Sequence, residues 1–317
     1  MNGDRRIRIG TRGSALARTQ SQWVVDQLRG AGAVADLEMI STQGDARNDV
    51  PISRIGGDGV FVRELERALL ECRIDAAVHS LKDMPTAETP GLLVACVPIR
   101  ETPFDVFVGR RHATLESLPT GAVVGTSSIR RVVQVRALRD DLVVRGIRGN
   151  VDTRLRRLDD GDYDGLILAG AGLRRLGLGH RITQVLRPDA FWPAVAQGAL
   201  AVQIRADDAA MRDTLRPLDD PATHQAVRAE RSCLAELAGG CLAPIGAWAR
   251  HDAGGRLELG ACVLEDRDGR ILKVFASQES SPHEGGQTPE LLGQAVAGAL
   301  LSQGAEEMLR RMRQSPT

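Results

Sequence analysis

A chain of 317 residues outgrows a single hydrophobic core, so two or three domains are expected, and 43% hydrophobic against 26% charged residues excludes a disordered or fibrous protein. Basic and acidic residues number 41 each, which gives no global signal for nucleic acid or a membrane surface. No stretch approaches the roughly 20 apolar residues of a membrane span, and MNGDRRIRIG carries no export-signal core, so a cytoplasmic protein is expected.

In chain order, IRIG (7–10) reads as a strand, a helix is predicted from Ser14 to about Arg29, and VADLEMI (34–40) reads as a second strand. TQGDARNDVPISRIGGDG (42–59) is a long polar loop: either a lid or binding element, or a surface insertion. VFVRELERALLEC then places Phe61, Leu65, Ala68 and Leu69 on one helical face. DAAVHS, LLVACV, FDVFVG, AVVGTS, LVVRGI and GLILAG are further strands with helical runs between several of them. This alternation predicts α/β architecture with mostly parallel sheets covered by helices. PIRETPF (98–104) reads as a crossing between two such units.

After Pro217 the pattern changes to a helix from about Ala222 to Ala238, three strands (IGAWAR, LELGACVLE, ILKVFAS), a mobile polar loop (SQESSPHEGGQTP, 277–289) and one long helix from Pro289 to Met312. This segment is expected to be a separate α+β domain.

Three turns each follow a strand and open a helix: GTRGSA (10–15), GTSSIRR (125–131) and RGNVDTR (148–154). Glycine and hydroxyl residues at a helix N-terminus form an anion cradle, and Arg12, Arg130, Arg131, Arg148 and Arg154 sit at these turns, on the unfavourable end of the helix macrodipole. Ordinary capping explains any one of them. Three of the same construction call for a ligand with several carboxylates or phosphates. RNA or DNA is disfavoured, because aromatics make up only 3% of the chain and Tyr163 is its single tyrosine. The only lysines are Lys82 and Lys273, an arginine bias that coding composition explains in total but not in clustering.

HSLKDMP (79–85) puts Lys82 and Asp83 at the carboxyl end of a strand. They form either a surface ion pair or, in an arginine-lined site, a carboxylate that faces a cationic intermediate. The five cysteines, Cys72, Cys96, Cys233, Cys241 and Cys262, show no CxxC pairing, which argues against disulfides and zinc. Cys233 is in helical register with Ala226, Ala229 and Leu237 and is expected in the core, whereas Cys241, in AGGCLAPIG, is expected to be exposed: an inert loop thiol or a functional one.

RIGTRGSALARTQ, GGDGVFVRELE, HSLKDMP, GTSSIRR, RGNVDTRL, AGLRRLGL, PAVAQGAL and GGCLAPIG, in this order, closely resemble the porphobilinogen deaminase (hydroxymethylbilane synthase) family from about Arg6 to Gly246. The resemblance implies two periplasmic-binding-protein-like α/β domains flanking a cleft and a smaller C-terminal α+β domain. Their implied bounds are 1–99 plus about 195–216, with lid loop 42–59; 100–194; and 217–317.

It implies a transferase that deaminates four porphobilinogen molecules, joins them on a dipyrromethane cofactor bound by thioether to Cys241, and releases 1-hydroxymethylbilane by hydrolysis. Asp83 is implied to be catalytic, stabilising the cation left when ammonia departs. Lys82, Thr126, Ser128, Arg130, Arg131 and Gly172 are implied to hold the cofactor. Arg12, Ser14, Gln20, Arg148, Arg154, Arg175 and Gln197 are implied to hold substrate. No metal, nucleic acid or membrane partner is implied, and a monomer is.

The chain departs from frequent family residues at Asp58, where GGDG replaces GGKG beside Arg54, and at Ala196 and Gln203, where Gly and Glu are common. Two rival readings are a non-catalytic polycarboxylate-binding protein of the same fold and a thiol-dependent hydrolase.

Overall fold

The computed structural model describes residues 6–40, 62–237, 243–280 and 288–314. The lid-loop stretch with Arg54, Asp58 and Phe61 lies outside them, as do Cys241 and the polar stretch 281–287. Among the described residues no helix is long and apolar enough to cross a membrane.

The chain divides into two compact units: the described residues through Glu101 with Ala199–His224, and Thr102–Gly198 with the described residues from Gln225 onward. The first unit contains β1 (Ile7–Thr11), α1 (Ala15–Gly30), β2 (Ala35–Met39), α2 (Arg63–Leu70), β3 (Ala76–Ser80) and β4 (Leu92–Cys96). β1, α1, β2 and α2 follow the predicted periodicities, and α2 buries Leu65, Ala68 and Leu69. Gly10, near the end of β1, has a packing reason: a Cβ there would lie 2.3 Å from Ile74 Cδ1.

The second unit continues with β5 (Asp105–Gly109), β6 (Val123–Gly125), α3 (Ile129–Leu138), β7 (Val143–Arg145), α4 (Val151–Asp159), β8 (Gly165–Ala169), α5 (Gly170–Arg175) and β9 (Gln184–Leu186). Its core lies on both faces of the sheet: Phe107 and Ile167 point to one side with Val124 and Val135, while Val106, Val108, Leu166 and Leu168 point to the other with Leu155 and Leu158. Burial on both faces explains why these strands read as continuous apolar runs. The chain then returns to the first unit as β10 (Leu200–Arg205) and α6 (Ala209–Leu215).

The sheets correct one expectation. Their strand orders are β2-β1-β3-β10-β4 and β7-β6-β8-β5-β9, and each holds two parallel and two antiparallel pairings rather than being mostly parallel. Strands joined by a helical crossover are held parallel. β10, which arrives after the long excursion through 102–198, is free of that constraint and enters antiparallel between β3 and β4. β5 likewise runs against β8 and β9.

α7 (Pro221–Glu236) precedes an antiparallel sheet of β11 (Ile245–His251), β12 (Leu257–Arg267) and β13 (Arg270–Glu279), against which α8 (Pro289–Ser302) packs. Gln278 and Glu279, assigned to a mobile loop from sequence, belong to β13. The single helix predicted over 289–312 is two, because Gly304 takes a left-handed φ of 96° and ends α8 before α9 (Ala305–Gln314) begins.

Candidate active site

In the first unit, β1 runs into Arg12, half-buried, and Ser14, whose hydroxyl accepts from Ala17 N at 3.3 Å and caps α1. The capping role of Ser14 is therefore real in this chain. Gln20, on α1, is buried, and its amide exchanges hydrogen bonds of 3.0 and 3.2 Å with Ser80 Oγ at the end of β3.

β3 ends in a 3₁₀ turn, Leu81–Asp83. Leu81 and Met84 are buried and anchor the turn on both sides, which leaves Lys82 half-buried and Asp83 exposed. Asp83 forms no ion pair with Lys82 and no hydrogen bond among the described residues, so the surface ion-pair reading falls away.

Directly before the turn, His79 is buried with Nε2 3.1 Å from Gln203 Oε1, while Gln203 Nε2 donates to Glu66 Oε1 at 2.9 Å. A carboxylate oxygen only accepts, which fixes the Gln203 amide, so His79 Nε2–H is the donor. Burial pushes the His79 pKa down to about 4, and the Arg12 charge adds to the effect while the bond to Gln203 opposes it. Gln203 thus bridges the neutral His79 imidazole to the Glu66 carboxylate.

The second unit holds the other two turns. Thr126 is buried, and its Oγ1 accepts from Ser128 N at 3.3 Å; Ser128 occupies the N-cap position of α3 with its own hydroxyl not used as a cap. Arg130 and Arg131 follow, both buried around Asp105, which has no exposure at all. Arg131 donates from Nη2 and Nε to Asp105 Oδ1 at 2.6 and 3.0 Å and from Nη1 to the Ile167 carbonyl at 3.2 Å. Arg130 Nη1 stands 2.8 Å from Asp105 Oδ2 with its N–H turned to the Trp192 carbonyl, so that contact is an ion pair without hydrogen-bond geometry.

Gln197, also buried, donates from Nε2 to Asp105 Oδ1 at 3.0 Å and to the Pro103 carbonyl at 2.8 Å. Burial alone would raise the Asp105 pKa; Arg130 and Arg131 override it and hold the group down to about 2. The sequence reading missed Asp105, although an acid inside the apolar run FDVFVG was its signal.

Arg148 is exposed, with no hydrogen bond or ion pair among the described residues. Arg154, half-buried, donates from Nε to the Gly149 carbonyl at 2.8 Å and pairs with no described carboxylate. Burial and the nearby Arg131 push its pKa down to about 10. A shielded guanidinium in the field of another, lacking its own counter-ion, suits an added carboxylate. Arg175 donates to the Gly198 carbonyl at 2.7 Å, and Gly172 is buried in α5. Of the cysteines, Cys233 is buried with Ala226, Ala229 and Leu237 as expected, Cys96 and Cys262 are buried too, and burial pushes all three thiols up to about 12.

Residues 7–213 match the family model described as porphobilinogen deaminase, dipyromethane cofactor binding domain, and residues 224–302 match porphobilinogen deaminase, C-terminal domain. The porphobilinogen deaminase of Desulforudis audaxviator is 47% identical over 98% of both chains. That of Brevibacillus brevis is 45% identical over 95% of this chain and 96% of its own. Among solved structures, the methionine-binding protein MetQ aligns with a TM-score of 0.44 at 12% identity, over 71% of this chain and 93% of its own.

Proposed function

This chain belongs to the porphobilinogen deaminase family, and from that premise we propose how its own residues divide the reaction. The enzyme is a transferase of the hydroxymethylbilane synthase type with a dipyrromethane cofactor; it deaminates and condenses four porphobilinogen molecules and releases the linear tetrapyrrole by hydrolysis. The match over residues 224–302 favours this over a non-catalytic anion-binding protein.

The bound cofactor supplies a pair of linked pyrroles that primes the chain and brings carboxylates of its own. Cys241 is its anchor in our reading, on the segment after α7 (Pro221–Glu236). With the primer, the growing product carries about a dozen carboxylates, whose mutual repulsion in a low-dielectric site requires counter-charges.

In the second unit, Arg148 and Arg154 carry guanidiniums that no described carboxylate neutralises, and we assign them to substrate carboxylates together with Arg175. Arg130 and Arg131 are held rigid by Asp105 and Gln197; their role is a fixed positive shell toward the cofactor, beside Thr126, Ser128 and Gly172. In the first unit, Arg12, Ser14 and Lys82 serve the carboxylates, and Gln20 acts through Ser80.

Asp83 carries the catalytic reading: a carboxylate exposed on a turn whose neighbours Leu81 and Met84 are buried, with no partner among the described residues to occupy it. It stabilises the cation formed when ammonia leaves porphobilinogen and accepts the proton displaced from the attacked ring carbon. The three-part domain division, a monomeric state and a cytoplasmic location complete the proposal. Its test is incubation of the purified protein with porphobilinogen: ammonia and hydroxymethylbilane are expected in a ratio of four to one, and tight binding without ammonia release would contradict it.

A further inference from the structure

The parallel pairing of β6 with β7 ends at Gly125 opposite Arg145, with Thr126 N donating one last backbone bond to the Arg145 carbonyl at 3.1 Å. Beyond that point a side chain takes over. Ser127 Oγ donates to the Ile147 carbonyl at 2.7 Å and accepts from Ile147 N at 2.9 Å, so one hydroxyl satisfies both backbone groups of that residue. Ile147 itself is buried beside Leu155, Leu158 and Tyr163, and Tyr163 Oη donates to the Gly146 carbonyl at 2.8 Å. The next residue is Arg148, exposed and without a partner among the described residues. On its other side, Ser127 directly precedes Ser128, at the N-cap of the helix that carries Arg130 and Arg131.

We propose that Ser127 is a positioning residue for the reaction: its hydroxyl extends the β6–β7 pairing by one side-chain rung and sets where the Arg148 guanidinium stands relative to the Ser128–Arg131 turn. The β6–β7 register ends at Arg145, so the Ser127 hydroxyl is what ties the Ile147 backbone to the end of β6, two residues before the left-handed turn at Gly149 (φ 97°). The hydroxyl supplies direction rather than charge, so its contribution appears in substrate affinity and not in the chemical step. This rests on the assignment of Arg148 to a substrate carboxylate.

The test compares Ser127→Ala, Ser127→Thr, Arg148→Leu and the double variant Ser127→Ala/Arg148→Leu as full chains loaded with cofactor. Two quantities are read: KM and kcat for porphobilinogen, and amide hydrogen exchange of the peptide containing Ile147. Ser127→Ala is expected to speed exchange at Ile147 and raise KM about tenfold with kcat nearly unchanged, the scale of one lost hydrogen bond. Ser127→Thr, which keeps the hydroxyl, is expected to restore both. In the Arg148→Leu background, adding Ser127→Ala is expected to change KM by less than about twofold, since residues that act through one another are not additive.

A wild-type KM in Ser127→Ala, with exchange at Ile147 accelerated and Arg148→Leu impaired, would overturn the proposal while leaving the Arg148 assignment intact. Multiplying effects in the double variant would overturn it as well. A wild-type KM in Arg148→Leu would instead overturn the underlying assignment. If Ser127→Ala does not fold, Ser127→Cys, with a weaker hydrogen-bonding group of similar shape, is expected to raise KM about threefold, and a wild-type value there would refute the proposal.

Discussion

Asp105 and Arg131 are joined by two hydrogen bonds, from Nη2 at 2.6 Å and from Nε at 3.0 Å, to a single carboxylate oxygen that is closed off from solvent. Arg130 meets the other oxygen of the same group at 2.8 Å. The three side chains form a buried triad with one excess positive charge, so the arginines differ in what their removal should do.

Arg131→Leu is predicted to be a stability variant as much as a binding one. It removes two charge-assisted hydrogen bonds from a buried carboxylate, each of which contributes about 1.5–3 kcal/mol. Arg148→Leu, at an exposed position with no partner among the described residues, is predicted to change stability by less than about 0.5 kcal/mol while raising the KM for porphobilinogen. Urea denaturation of both variants, set beside the KM of each for porphobilinogen, checks the pair. Equal unfolding midpoints for the two would contradict the account of the triad.

His79 and Asp105 predict two separate acid transitions. His79 is neutral in the folded chain, with its pKa lowered from 6.5 to about 4, so its contribution is full above pH 6.5 and is lost as pH falls toward about 4. That loss is on the order of 3 kcal/mol. Asp105, lowered from 3.8 to about 2, contributes fully above 3.8 and loses its contribution as pH falls through about 2. His79→Gln is therefore expected to flatten the dependence of the urea midpoint between pH 6.5 and 4 and to leave the lower transition in place. An unchanged slope in the upper window would show that His79 is not held neutral.

The helices and most strands were legible in the sequence because their signals are local. Ser14 before α1, the apolar face of α2 and the both-faces-buried runs at 105–109 and 165–169 each declare themselves within about ten residues. β10 was not among the strands read from the sequence, and its antiparallel entry between β3 and β4 depends on partners more than 100 residues away. Pairing direction is a property of the pair and not of either strand. The break at Gly304 was readable in principle, since a glycine inside an apolar period is a common helix stop.

At the site, residue types and turns were readable but their occupancy was not. Nothing near Arg131 in the sequence reveals that its donors are largely spent on Asp105, Ile167 and Gln197, or that Gln20 faces Ser80. Asp83 stood out as the unusual acid, and the fold places it exposed on a turn with no hydrogen bond or ion pair among the described residues.

Asp83→Ala is predicted to abolish turnover without loss of fold. The side chain is exposed and forms no described hydrogen bond, so the unfolding midpoint should move by less than about 0.5 kcal/mol equivalent. The cofactor should remain attached, because its proposed anchor is Cys241. Steady-state ammonia release and thermal unfolding decide this together: substantial remaining activity would refute the catalytic assignment, and a large fall in stability would show a structural role instead.

The central claim is that Cys241 carries the dipyrromethane on which the product is built. The intact mass of the denatured native chain, measured beside that of Cys241→Ala, addresses it most directly. An excess equal to two condensed porphobilinogen units in the native chain, absent from the variant, is the predicted result. An unmodified mass in folded native protein that persists after incubation with porphobilinogen would contradict it.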